Sequence, residues 1–140
     1  MTTNQTIISI DPGREKCGIA AVHQEKGVLQ KNIIPTQDLP SIIQEWLSKY
    51  QTKTVIMGNG TSSKDAKNLL EKILINGQFL EVTLVDEYRT TDDGRRRYWQ
   101  ENPPQGFWRL IPVTMQTPPQ PVDDYVAVIL AERYLVNVNK

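Results

Sequence analysis

Three acidic sites in the sequence stand where chemistry would need them. Asp11 closes the apolar run Ile7-Ile8-Ser9-Ile10 and opens onto Pro12-Gly13; Asp86-Glu87 follows the run 80–85; Asp123-Asp124 precedes a periodic stretch at 126–134. Each has an ordinary structural explanation. Asp-Pro-Gly is common turn chemistry, with Gly13 free to take positive φ, a strand can end on solvated acids, and an aspartate before a helix caps it and suits its dipole. Together the three imply more. If the strand ends and the helix start share one edge, Asp11, Glu87 and one of Asp123 or Asp124 gather hard oxygen donors without a His or Cys cluster, a set that suits Mg2+ or Mn2+ and not Zn2+. Two such ions about 3.5–4 Å apart activate water and stabilise the departing oxygen of a phosphodiester. Like charges meeting at one place are costly without a cation, so their convergence itself implies metal.

The elements that must position these acids read from hydrophobic periodicity. The runs 7–11 and 17–22 predict a hairpin of two buried strands, Glu25-Lys26-Gly27 a tight turn, and 28–34 a third strand, making an antiparallel meander. Leu39, Ile42, Ile43, Trp46, Leu47 and Tyr50 recur at helical spacing, with Pro40 tolerated in the first turn. A strand over 53–57, a helix over 64–75 stopped by Asn76-Gly77, and a strand over 80–85 follow. Thr90-Thr91-Asp92-Asp93 opens a third helix toward Trp99, weakened by Gly94. Between 102 and 121 the prolines 103, 104, 112, 118, 119 and 121 predict a long structured loop or lid. Within it Phe107, Trp108, Leu110, Ile111 and Val113 read as a short strand or a satellite apolar cluster. The last helix buries one side through Val126, Ile129, Leu130, Arg133 and Tyr134. The expected fold is α/β, one domain over 1–140: a five-stranded mixed sheet, three antiparallel strands then two parallel, with helices on both faces.

Sixteen Lys plus Arg against sixteen Asp plus Glu leave no net charge, so any polyanion contact must be local. The densest basic cluster is Arg89, Arg95, Arg96 and Arg97, followed by Tyr98 and Trp99; on a helix at most two of Arg95, Arg96 and Arg97 serve one groove. The loop 58–64, with Asn59 and Lys64, offers backbone N–H groups at a helix start, and Arg14 and Lys16 flank Asp11. Such contacts to duplex DNA lower log K by about 0.9 per phosphate as log salt rises. His23, the only histidine, lies beyond the apolar run and is expected at the surface. Cys17, the only cysteine, is expected buried and reduced. No stretch is long and apolar enough for a membrane span, and the first residues lack a signal-peptide pattern, so the expectation is a cytoplasmic protein without a membrane partner.

Over nearly its whole length the chain resembles the YqgF family, also called RuvX, of Holliday junction resolvases and pre-16S rRNA processing nucleases in the RNase H-like superfamily. Ile10-Asp11-Pro12-Gly13 with Gly18-Ile19-Ala20 is similar to that family's opening motif; Val85-Asp86-Glu87 with Thr90-Thr91 to its second; Val122-Asp123 through Tyr134-Leu135 to its closing helix. The resemblance implies metal-dependent cleavage of structured nucleic acid, precursor ribosomal RNA ends or branched DNA. It also implies Asp11, Glu87 and the last aspartate as ligands, and aligning the helix end at Leu135 favours Asp123 over Asp124. Two features depart from the family pattern. Tyr88 stands where the family has Arg, with Arg89 next, and the shortened loop 58–64 is more similar to that of the YqgF-like domain of the transcription accessory protein Tex. These departures suit a second expectation, an RNase H-like nucleic-acid-binding module with weak or no cleavage. Paired incisions would need a homodimer, for which Trp46, Tyr50, Trp99 or Trp108 could serve unless they fill the core. Actin-like sugar kinases and ATPases share the opening hairpin but need a second lobe, which this length argues against.

Overall fold

In a computed structural model, which describes residues 5–60, 62–75, 77–86, 90–116 and 118–138, the chain opens with the expected meander. Strands β1 (Thr6–Asp11), β2 (Lys16–His23) and β3 (Gly27–Pro35) pair antiparallel in sequence. Gly27, at φ 81°, makes the second turn in a conformation that only glycine adopts cheaply. His23 is not a surface residue. It is buried, and its Nδ1 accepts hydrogen bonds from the backbone N–H groups of Glu25 and Lys26, both at 3.0 Å. The ring stays inside because it satisfies two turn donors that lack strand partners.

A short 3-10 turn leads into α1 (Leu39–Lys49), with Pro40 in the first turn, and then come β4 (Val55–Gly58) and α2 (Ser63–Leu70). The expected helix over 64–75 ends early. Leu74–Ile75 forms β5, paired with β6 (Gln78–Phe79) across a turn in which Gly77 takes φ 82°. Leu80 N donates to Ile73 O at 2.9 Å, so the hairpin claims backbone groups that a longer helix would have used. Strand β7 (Val82–Val85), α3 (Thr90–Glu101), two 3-10 turns (Gly106–Leu110 and Val113–Met115) and α4 (Asp123–Val138) complete the order. The main sheet runs β3-β2-β1-β4-β7, with β4 parallel to β1 and β7 parallel to β4.

Strand alternation splits the core between two faces. Ile8, Ile10, Cys17 and Ile19 pack with Leu39, Ile43 and Trp46 of α1; Ile7, Ala20, Val22 and Ile56 pack with Val126, Ala127, Leu130 and Ala131 of α4. Trp46 is thus core. Helix α4 is buried on more than the single side its spacing suggested, because α3 covers its outer flank as the sheet covers its inner one. Gly94 serves that stack: a Cβ there would stand 3.0 Å from Val126 Cγ2, so the absent side chain lets α3 lie close on α4. Phe107, Trp108 and Leu110 neither pair as a strand nor cluster inward; all three are exposed. Among the described residues no helix is long and apolar enough to cross a membrane.

A close backbone contact of this architecture is at Gly18, opposite Asp11 on β2. A Cβ at this position would overlap the carbonyl of Asp123. Gly18→Ala must push the first turn of α4 off the sheet, and we expect it to cost about 1–3 kcal/mol in chemical denaturation, as overpacking does elsewhere. A variant as stable as the parent would mean that α4 does not sit on β2.

Candidate functional site

Because β1, β4 and β7 are parallel, their carboxyl ends lie along one edge of the sheet. Ile10 pairs with Met57 and Gly58 with Val85, so Asp11 ends β1 level with Gly58, and Asp86 follows Val85 at the end of β7. At about 4.8 Å between strands, that end lies roughly 10 Å from Asp11. Asp11 pairs across the hairpin with Gly18. Directly opposed residues share a face, so Asp11 points to the side of the sheet that α4 covers. The first turn of α4, seated on Gly18, brings Asp123 to the same place.

Asp11 and Asp123, with Pro12, Gly13, Arg14, Glu15 and Lys16, line one open depression of about 450 Å³. Lys16 Nζ stands 3.8 Å from Asp123 Oδ2. The turn that forms its wall is fixed from behind. Thr36 Oγ1 donates to Gly13 O at 2.8 Å, Thr36 N donates to Glu15 O at 2.9 Å, and buried Cys17 Sγ lies 3.3 Å from Thr36 Oγ1. Gly13 is required here for lack of room, not for positive φ: a Cβ would overlap the carbonyl of Lys16.

Asp124 goes elsewhere. Its Oδ2 accepts from Lys31 Nζ at 3.1 Å, its Oδ1 accepts from Tyr125 N at 2.9 Å, and Lys31 Nζ sits 4.2 Å over the Tyr125 ring. Burial acts to lower the Lys31 pKa, but the hydrogen bond and charge of Asp124, with Tyr125 adding, outweigh it and hold the ammonium above its ordinary value. The two adjacent aspartates therefore face different partners, about 100° apart around the helix. Lys31 escaped attention in the sequence, although it pairs with Ala20 and so faces α4.

The other expected contacts are dispersed. Arg14 and Lys16 border the depression. Asn59 N donates to Val85 O at 3.1 Å on the same edge, and Lys64 is exposed in the first turn of α2. The loop before α2 spends donors on itself, Ser63 N and Oγ both reaching Gly60 O at 3.1 and 2.7 Å. Arg95 is exposed, Arg96 pairs with Asp93 at 3.2 Å, and Arg97 ties α3 to α4 through Glu132 at 3.0 Å. Glu87, Tyr88 and Arg89 lie outside the described residues. Among those described, no three His, Cys, Asp or Glu side chains group closely enough to hold a metal ion; Asp11, Glu15 and Asp123 are the acids that line the depression.

The family model of the Tex protein YqgF-like domain matches residues 5–91, which include Asp11 and the loop 58–64 and stop short of α4. Among curated proteins none matches the chain in sequence. Among solved structures, the complex of fowlpox virus resolvase with its substrate Holliday junction DNA is similar over 97% of this chain and 100% of that one, at 13% identity and a TM-score of 0.63. The fowlpox virus Holliday junction resolvase alone is similar over 96% and 99%, at 14% identity and a TM-score of 0.57. A Thermus thermophilus RuvC structure has a TM-score of 0.49 at 14% identity over 91% and 90%. The likeness to the fowlpox structures is one of fold, the five-stranded mixed sheet with helices of the RNase H-like class.

The contact between Lys31 and Asp124 can be measured. Lys31→Met should lower stability in urea by about 1 kcal/mol or less at neutral pH. Since folding raises the Lys31 pKa, its contribution is complete below the ordinary lysine value of about 10.4 and is lost as pH rises through the folded value. The gap between parent and variant should therefore hold from neutral pH to about pH 10 and close above it. A gap that persists through the alkaline range would mean that the ammonium is not what the fold uses.

Proposed function

The chain belongs to the family of Tex protein YqgF-like domains, and from that premise we propose that it hydrolyses phosphodiester bonds in structured nucleic acid with the help of Mg2+ or Mn2+. The observation that carries the reading is the meeting of Asp11 and Asp123 in one depression beside Arg14 and Lys16. Its donors fit the ion: the lining carboxylates are hard oxygen ligands, and no thiolate or imidazole stands among them. Asp11 and Asp123 would hold the metal, with Glu87, next in sequence to Asp86, as the third ligand. The chemistry that such ions supply is activation of water and stabilisation of the departing oxygen.

The remaining steps belong to side chains of the rim. Arg14 and Lys16 neutralise the phosphate and orient it against Asp11, while the Thr36 tie to Gly13 keeps the turn from moving as charge builds. Lys16 would exchange Asp123 for the substrate. At 3.8 Å, with the lysine side chain 52% exposed, that pair is loose enough to part. Arg95 and Arg96 supply further phosphate contacts, Asn59 and Lys64 others along the strand edge. Branched DNA is the substrate to try first, because the fold neighbour is a resolvase bound to its Holliday junction; precursor ribosomal RNA ends are the alternative that the family suggests. We assign the activity to a single domain over residues 1–140, in the cytoplasm, acting as a homodimer where paired cuts are made.

A second reading, a binding module of the same fold without turnover, is favoured by the lysines that already neutralise both helix aspartates. Cleavage of a labelled four-way junction and of a precursor 16S RNA end, in Mg2+, Mn2+ or EDTA, separates the two. Asp11→Asn and Asp123→Asn should each cost more than the roughly 10- to 100-fold typical of losing an outer-shell partner, with the fold intact by circular dichroism. Asp124→Asn should cost far less. Binding with no turnover above Asp11→Asn would overturn the enzyme reading and leave the module.

A further inference from the structure

The Pro-rich segment builds a second surface that the carboxylate rim does not use. A groove beside the end of α3 is lined by Tyr98, Trp99, Asn102, Pro104, Trp108 and Met115 among others. A smaller depression adjoins it, sharing Trp99 and Gln116 and bordered by Arg95, Arg96 and Asp92. The apolar groups here are left in water: Trp108 is 59% and Phe107 69% exposed, and Met115 is exposed beside them. A contiguous exposed patch of this kind marks a binding surface on a folded protein. Arg95, on the border of the adjoining depression, makes no ion pair among the described residues, so a free guanidinium stands next to the aromatic groove. The groove is also tied to the first turn of α4. Tyr98 packs edge-on against Tyr125 at 5.9 Å, and Asn102 Nδ2 donates to Tyr125 Oη at 3.3 Å, two residues beyond Asp123.

We propose that this groove stacks the unpaired bases of a single-stranded segment of the substrate. The proposal deepens the preceding reading and rests on it only for the identity of the polymer. Aromatic faces next to exposed arginine are what a single strand requires, since each base offers a π face and each link a negative charge. A continuous duplex hides its base faces and could not use Trp108. A proline-rich peptide would find the aromatic walls but give the arginines nothing to neutralise. The substrate class that follows is nucleic acid with unpaired bases beside the link to be cut, such as a flap, a branch point or a frayed end.

The test reads binding rather than cleavage. Anisotropy of labelled oligo(dT) and of a blunt duplex of equal length is measured in EDTA, where hydrolysis is suppressed. Trp108→Ala should weaken oligo(dT) binding by about 5- to 100-fold and leave duplex binding unchanged, while Trp108→Phe keeps most of the affinity. Arg95→Ala should reduce the salt slope for the single strand by about 0.7. Because Trp108 is exposed, its variants should melt with the parent. The proposal is overturned if Trp108→Ala binds oligo(dT) like the parent, or if the substitution instead abolishes capture of a labelled proline-rich peptide or self-association in sedimentation. The two readings fail separately: lost oligo(dT) affinity without junction cleavage keeps the groove and removes the nuclease, and cleavage with an unaffected Trp108→Ala does the reverse.

Discussion

Backbone meets backbone where the first turn of α4 rests on Gly18, and the arrangement of the rim descends from that contact. A helix normally stands off a sheet by the length of the side chains between them. Here glycine at 18 and alanines at 20, 127 and 131 remove much of that padding, so the helix comes down until the Asp123 carbonyl fills the place of a Cβ. Since Gly18 is the cross-strand partner of Asp11, the approach brings a residue from the end of the chain beside one from its beginning. Gly94 repeats the device one layer out, setting α3 against Val126. The acids at the start of α4 gain from the helix dipole in the bargain, which offsets part of the cost of crowding carboxylates.

Electrostatic balance in this protein is local rather than global. The chain as a whole is neutral, yet each aspartate of the helix start has its own lysine, and the two pairs differ in kind. Lys31 and Asp124 are close, largely shielded and backed by the Tyr125 ring, which makes them a tie between β3 and α4. Lys16 and Asp123 are further apart and open to water, a contact that a stronger ligand can displace. Arg97 and Arg133 likewise serve the joint of α3 and α4 through Glu132 and Asp93, leaving Arg95 as free charge in the depression that it shares with Trp99.

Family membership and fold likeness carry different parts of this picture. The family model spans β1 to the beginning of α3, where Asp11, the glycine-bearing loop and the second acidic motif lie. The closing helix is outside that match, and its place on the sheet is given by the structure itself. Since one fold hosts many chemistries, the reading of function rests on what stands at the rim.

Local patterns were enough to find most of the frame. Apolar runs in 7–11 and 17–22, helical spacing from Leu39 to Tyr50, and proline density after 102 each express a preference that neighbouring residues settle among themselves, and strands that end on acids could be recognised as such. Other outcomes depended on groups that meet only after folding. Asp124 parts from Asp123 because Lys31 reaches it from 93 positions away. His23 turns inward to serve two turn amides, α2 yields its last residues to a hairpin, and Phe107 and Trp108 stay outside because the core is closed without them. Periodicity reports which side of an element is apolar; it is silent about what comes to lie against that side, and hydrogen bonds and charges are assigned by that encounter.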